Sequence, residues 1–574
     1  MRKQTKIAAV VSAAALLAIG ASMTSFAATG WQEEDGTWVY YNRAGEKVAN
    51  AWEYSGDNRF YLDDAGNMAT DSLIEDNDDY YYVDANGAMV RNRWVAIDNE
   101  NAGEENQPDV WWYYFQANGK AYKNNHASGQ IFKKVINGKT YAFDEDGKMQ
   151  YGWVDTNTGV TNYDDNAFAE CDYYFGDEND GAMSIGWREI ALTDVTDAET
   201  EQPGDSYWDS DQVRWFYFKS SGKKQTSTDN KTINGRKYGF DNYGRMIADW
   251  HTAETNDSTL QNASRRGGAA GGAATATDAT KYARTFQYFS SPEDGARFTK
   301  GWFKVVPGYY LNLDDYNDGN ERWYYADGQG KLYAGQIKAI KGKKYAFDIK
   351  GGMISGLALL TVDSSNNILE YADDDGKYDS KDNFLKTARG LGSDRAFYYF
   401  SDNEDKDGSM KTGSQKVTLD GETLTFKFKK GGTGAGKGIN GEDEKKYYLG
   451  GLLLTADVDN KIEIVNVNKN SADYLKKTTL DEFIRDSGLV AQTTVADGKK
   501  IGAASAGDTV FVSTDASLLP TDAAATGLNL SSKLGDYRII NTAGNVVKSG
   551  SKVDGDGYKV VLKNNKIEQI VVAD

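Results

Sequence analysis

Seven methionines follow residue 28, and every one stands two residues after a glycine. The pairs are Gly66/Met68, Gly87/Met89, Gly147/Met149, Gly181/Met183, Gly244/Met246, Gly351/Met353 and Gly408/Met410. A fixed offset repeated seven times means one backbone turn followed by one strand position, used again and again. Only a repeat architecture produces that. Tryptophan supplies the period. Trp31, Trp52 and Trp94 are 21 and 42 residues apart, Leu73 fills the missing slot, and Trp187 to Trp250 is 63. Trp153 and Trp302 end similar units displaced by insertions.

Each unit reads as a β-hairpin. Trp38-Val39-Tyr40-Tyr41 leads to a turn at Gly45 and then a strand ending at Trp52. Later copies are Tyr80-Tyr81-Tyr82-Val83 before Asn86-Gly87, and Trp112-Tyr113-Tyr114-Phe115 before Asn118-Gly119. Asn-Gly and Asp-Gly provide the positive φ of tight hairpin turns. With 61 Gly, 37 Tyr and only 5 Pro, the chain suits short aromatic strands joined by glycine turns. One two-stranded hairpin is marginal in water, so the hairpins must stack. The expected fold is all-β, a solenoid of stacked β-hairpins. Its repeats of about 20 residues fall into super-units of about 100, ahead of a degenerate β-rich C-terminal region. The long period shows in INGKTYAFDEDGKM from Ile136, INGRKYGFDNYGRM from Ile233, IKGKKYAFDIKGGM from Ile340 and INGEDEKKYYLGG from Ile439. The expected divisions are a signal peptide over 1–27, an aromatic-rich repeat solenoid over 28–355, degenerate repeats over 356–465, and a β-rich region over 466–574. Strands are expected across Tyr537–Val572, a short helix over Thr479–Ser487, an acidic polar insertion over Glu199–Asp211, and a mobile Gly/Ala/Thr-rich one over Gly267–Thr280.

Several function classes are excluded or set aside. One Cys and two His rule out a disulfide framework and Cys-rich zinc, and leave too little for most histidine chemistry. No catalytic residue, cofactor or metal is expected. Asp373–Asp375 and Asp402–Asp407 read as solvated turn acids, without the spacing of a calcium loop. Gly431–Lys437 (GGTGAGK) lacks the Ser/Thr that a phosphate loop requires, since Gly438 stands there. Residues 466–574 hold no His, Cys or Trp, so an enzyme is not expected. Arg2, Lys3 and Lys6, then the apolar stretch Ile7–Ala21, then Ser25-Phe26-Ala27 form a secretory signal with cleavage after Ala27. No transmembrane segment is expected, and the destination is the cell wall or cell surface. Removing the signal takes the net charge from −20 to −23, which argues against nucleic acid.

Numbering each hairpin back from its turn glycine separates two faces. Positions −6 and −4 hold Tyr81/Val83, Tyr113/Phe115, Tyr141/Phe143 and Phe216/Phe218, and these read as core. Positions −7 and −5 hold Trp38/Tyr40, Trp112/Tyr114, Trp215/Tyr217 and Trp323/Tyr325. Large amphipathic rings there either close the gap between repeats or line cages. Such cages hold quaternary ammonium by cation–π attraction, or stack sugar rings.

The pattern W-Y-Y-(L/F)-x-x-x-G-x-M-x-x-G-W resembles the cell-wall-binding repeats of choline-binding proteins. The INGKxYxF form is similar to repeats of glucan-binding proteins and of clostridial toxin tails. The resemblance covers about residues 30–460. It implies a hairpin solenoid that binds choline on teichoic acid, or a polysaccharide. Carried over by position, it implies ligand-facing Trp31, Trp52, Trp94, Trp153, Trp187, Trp250 and Trp302. Trp38, Trp112, Trp215 and Trp323 join them, with Tyr40, Tyr114, Tyr217 and Tyr325. Arg59, Thr140 and Lys237 occupy −7 slots, and Ala142, Gly239 and Ala346 occupy −5 slots, so many sites should be closed. All 13 Trp lie at or before Trp323, which places binding in the N-terminal half. The resulting expectation is a non-enzymatic secreted protein attached non-covalently to the wall. An adhesin for extracellular glycan is the alternative, and a wall hydrolase the weakest reading.

Overall fold

The computed structural model describes residues 29–125, 130–192, 212–252, 276–372, 376–486, 511–513 and 535–572. The signal segment, the 199–211 insertion, Asp373–Asp375 and most of the 267–280 insertion lie outside the described residues. The chain divides into two compact units. The first holds residues 1–200, 208–229 and 240–246; the second holds 201–207, 230–239 and 247–574.

In the first unit, two-stranded antiparallel hairpins follow one another. Gly30–Glu34 pairs with Thr37–Tyr41, Ala51–Ser55 with Asn58–Leu62, and Ser72–Asp76 with Asp79–Val83. Arg93–Asp98 then pairs with Val110–Phe115, Phe132–Ile136 with Lys139–Phe143, and Gly186–Leu192 with Gln212–Phe218. A three-stranded sheet of Gly152–Val154, Tyr173–Asp177 and Asp180–Met183 interrupts them. The second unit starts the same way, with Gly301–Val305 on Arg322–Ala326 and Gln336–Ile340 on Lys343–Phe347. Further along, the sheets widen to three, five and four strands. The expected C-terminal strands are present as Tyr537–Asn541, Gly550–Val553, Tyr558–Lys563 and Lys566–Val572.

The pairing corrects the sequence reading of the hairpin. Tyr40 does not fold back through Gly45 onto Trp52. It lies opposite Trp31, and Trp52 lies opposite Tyr61. The turns that close the hairpins are Asp35-Gly36, Asn77-Asp78, Asn137-Gly138 and Lys341-Gly342, with both residues at positive φ. Two-residue loops of this type match the strand twist, so they win the pairing. Gly66, Gly87, Gly147 and Gly351 also have positive φ, but in the connection that follows each hairpin. There an Asx side chain accepts two backbone N–H groups: Asp84 from Asn86 and Ala88, Asp144 from Asp146 and Lys148, Asp348 from Lys350 and Gly352. That fills the bonding capacity a strand would otherwise need and fixes the loop.

The glycine–methionine offset now has a cause. The Met N–H donates to the carbonyl of the −7 residue in the preceding hairpin: Met68 to Trp38, Met89 to Arg59, Met149 to Trp112, Met353 to Trp323. The Met side chain then runs under the turn glycine of the next repeat. A Cβ on Gly87 would meet Met68, and one on Gly119 would meet Met89. Glycine is needed for φ and for room at once.

The −6/−4 residues are core as expected. Val83, Phe115, Phe143, Phe216 and Phe218 are fully buried. Leu480–Asp486 forms the expected helix, opened by a reciprocal box: Thr479 Oγ1 accepts the Glu482 N–H (3.1 Å) and Glu482 accepts the Thr479 N–H (3.4 Å). It is not alone. Lys381–Arg389 is a helix capped by Ser380, with Phe384, Leu385 and Ala388 buried against Phe397 and Phe426. Ala276–Ala283, at the end of the alanine-rich insertion, is also helical. The loop Gly431–Lys437 leads to a bridge and a strand, not to the helix a phosphate loop needs.

Candidate aromatic binding site

Antiparallel register builds the site. The Trp on the first strand of a hairpin stands directly opposite the −5 Tyr, so Trp94, Trp187 and Trp302 face Tyr114, Tyr217 and Tyr325. The −7 Trp stands two residues along the second strand, the diagonal neighbour on the same face. All of these are half-buried, in contrast to the sealed −6/−4 rings. The −7 backbone is held by the Met N–H of the next repeat at Trp112, Trp215 and Trp323.

The best-formed arrangements have two tryptophans near a right angle with a tyrosine against one of them. Trp187 and Trp215 lie 6.2 Å apart at 84°, with Tyr217 5.2 Å from Trp187. Trp302 and Trp323 lie 6.4 Å apart at 83°, with Tyr325 5.1 Å from Trp302. Trp302 rests on Tyr345 and Phe347 of the next hairpin, which fixes its ring. The Trp323 ring N–H donates to Asp405 Oδ1 (3.2 Å), which also accepts from Lys304 (2.9 Å). These bonds pull the exposed Asp405 carboxyl below its ordinary pKa. The Lys304 ammonium paired with that carboxylate lies 6.0 Å from the centre of the Trp323 ring, so the charge beside the rings is an ion pair.

Trp94, Trp112 and Tyr114 share one cluster with Tyr122, a residue not singled out from sequence. Tyr122 stacks on Tyr114 at 5.7 Å and 12°; Tyr333 stacks on Tyr325 at 5.2 Å and 12°. Both stand three residues after the turn glycine, so that slot is the signal that would have found them. Lys134 reaches over Tyr122 (5.6 Å) and Lys338 over Tyr333 (5.2 Å).

Other expected positions are filled from within. Trp153 is only 9% exposed and packs on Tyr174, Phe216 and Phe218. Lys224, itself buried, places its ammonium 5.2 Å from the Trp153 ring and donates to the Phe168 carbonyl. Burial lowers the Lys224 pKa to about 8. The same cluster encloses Cys171, whose thiol burial pushes up to about 11. Trp250 contacts Phe286, Tyr288, Phe303 and Tyr324, gives its ring N–H to Val306 (2.8 Å), and has the Gly308 backbone against it. Trp153 and Trp250 are thus inter-repeat core, because large rings lie on both sides of each. Trp31 faces Tyr40 at 5.3 Å and Phe60 at 5.4 Å, with its N–H on the Tyr54 carbonyl; Trp38 stays half-buried at the diagonal position. Trp52 faces Tyr61 and Tyr81, both at 5.1 Å, and Arg59 lies over it.

Residues 46–88, the segment with Trp52 and the Gly66/Met68 and Gly87/Met89 steps, match the family model described as choline-binding repeat. That segment has the character of a choline-binding repeat. The same opposed Trp–Tyr pair and Gly–Met step recur outside the matched segment, at Trp302/Tyr325 and Gly351/Met353. No curated protein sequence matches the chain. Among solved structures, the choline-binding domain of CbpL from Streptococcus pneumoniae aligns at 23% identity over 39% of this chain and 88% of its own, with a TM-score of 0.24. CbpF in complex with ipratropium aligns at 16% identity over 72% and 100%, with a TM-score of 0.30. The modular autolysin LytC from Streptococcus pneumoniae, in complex with a synthetic peptidoglycan ligand, aligns at 16% identity over 59% of this chain, with a TM-score of 0.29. The alignment takes in 56% of the autolysin's own length.

Proposed function

We propose that this protein is a non-enzymatic, secreted surface protein held non-covalently on the bacterial cell wall, with the choline of teichoic acid as the group its repeats bind. The observation that carries the reading is the pair of perpendicular tryptophans with a tyrosine at Trp302/Trp323/Tyr325. A quaternary ammonium has no N–H to donate, so ring faces rather than carboxylates or carbonyls are its natural partners. Each face within about 6 Å contributes roughly 0.5–2 kcal/mol, depending on desolvation. A chain of net charge −20 favours a cationic headgroup over bare phosphate.

The test is a pull-down of the full chain with isolated choline-containing walls, with and without excess free choline. Release by choline supports the reading. Retention that choline does not compete would sink it. That outcome would favour a neutral wall or extracellular glycan, for which the parallel Tyr114–Tyr122 and Tyr325–Tyr333 pairs offer flat apolar faces.

A further inference from the structure

The repeat that matches the family model differs from the two-tryptophan pockets at one wall. In strand register, the residue two places before the Tyr opposite the first-strand Trp is Trp112, Trp215 or Trp323 in those pockets; here it is Arg59, while the Trp153 and Trp250 hairpins carry Asp172 and Phe286 there. Its backbone keeps the family role, since its carbonyl accepts the Met89 N–H (2.8 Å). Its side chain does not extend into solvent. The guanidinium carbon lies 4.9 Å from the centre of the Trp52 ring and 5.7 Å from that of Tyr54. Arg59 Nε is buried with no hydrogen-bond partner. A guanidinium N–H withdrawn from water without an acceptor is costly, so the ring contacts are what hold it there. Asp76 Oδ2 accepts the Trp52 ring N–H at 3.0 Å and adds negative potential beside the same ring.

We infer that Arg59 is a built-in occupant of this pocket. It holds the place of a ligand cation against Trp52, so the repeat spanning 46–88 is latent and becomes a quaternary-ammonium site when the guanidinium is removed. This rests on the reading of the aromatic pockets as cation cages. The chain therefore carries both working and self-filled pockets of one design. The change from Trp to Arg replaces a wall by a tethered cation, so free choline must compete with an intramolecular contact.

Equilibrium dialysis of labelled choline against the full chain tests this. Arg59→Ala is expected to add one equivalent of bound choline per chain. Arg59→Lys, which keeps a tethered cation, is expected to add none. Combining Arg59→Ala with Trp52→Ala is expected to remove the gain. Arg59→Gln gives a neutral side chain of similar reach, and circular dichroism checks that each variant folds. Unchanged stoichiometry in folded Arg59→Ala and Arg59→Gln, with the wild type binding choline, overturns the inference and leaves the cage reading intact. Should the wild type bind none, the cage reading at Trp302 falls; a new equivalent in Arg59→Ala still upholds the latent pocket, and none overturns both.

Discussion

Gly87→Ala tests the link between turn and methionine that sets the repeat. Gly87 has φ +77°, and a Cβ there would lie 2.8 Å from Met68 Sδ and 2.9 Å from Met68 Cε. A left-handed conformation costs a non-glycine residue about 1–2 kcal/mol. Pushing Met68 off its rotamer adds about 0.5–1.5 kcal/mol. The expected local loss is about 2–3 kcal/mol. A long repeat array does not unfold in one step, so a global midpoint is the wrong readout. The Met89 amide is the right one, because its bond to the Arg59 carbonyl spans the two hairpins. Its native-state hydrogen exchange should speed up by about 30- to 160-fold. In a Met68→Ala background the steric part vanishes, and the same glycine change should cost only the backbone part, about 1–2 kcal/mol. Strict additivity of the two changes, or unchanged Met89 exchange in Gly87→Ala, would refute the account of why methionine follows glycine.

Trp323→Ala removes one wall of the Trp302 pocket and should weaken choline binding there by about 1–2 kcal/mol, roughly 5- to 30-fold, as read by calorimetric titration. Lys224→Met should slow native-state exchange of the residue-224 amide, which donates to the Asp172 carbonyl, more at pH 7 than at pH 10 relative to its intrinsic rate. The folded pKa of Lys224 is lowered to about 8 by burial, so its penalty is full below that pH and fades as pH rises toward the unfolded value of 10.5. An equal slowing at both pH values would contradict the buried charge. Thr479→Ala breaks the capping box of the Leu480–Asp486 helix and should cost about 1 kcal/mol, seen as roughly fivefold faster exchange of the Glu482 amide.

The buried face was legible residue by residue. Tyr81, Tyr113, Tyr141 and Phe216 sit where two-residue alternation puts them, and all are buried. Asn86-Gly87 and Asn118-Gly119 were legible as turns, but they follow their hairpins; Asn137-Gly138, read only as part of the long repeat, closes one. What misled was the choice between the two turns that flank an aromatic strand. Tyr40 has Gly36 before it and Gly45 after it, and local composition favours neither. The helix Lys381–Arg389 was missed because its three buried residues make too short an apolar stripe to stand out in KDNFLKTAR.

From the sequence alone came the repeat, its period, the strand faces and the roster of aromatic rings, because these depend on alternation and on glycine's backbone freedom. Which rings form pockets was decided only in three dimensions. Trp52, Trp153 and Trp302 occupy the same place in the pattern, yet one lies under Arg59, one is packed around Lys224, and one meets a second Trp at 83°. Pattern places a ring on a face. What lies across from it belongs to another repeat, an insertion or a side-chain conformation, and only packing brings those together.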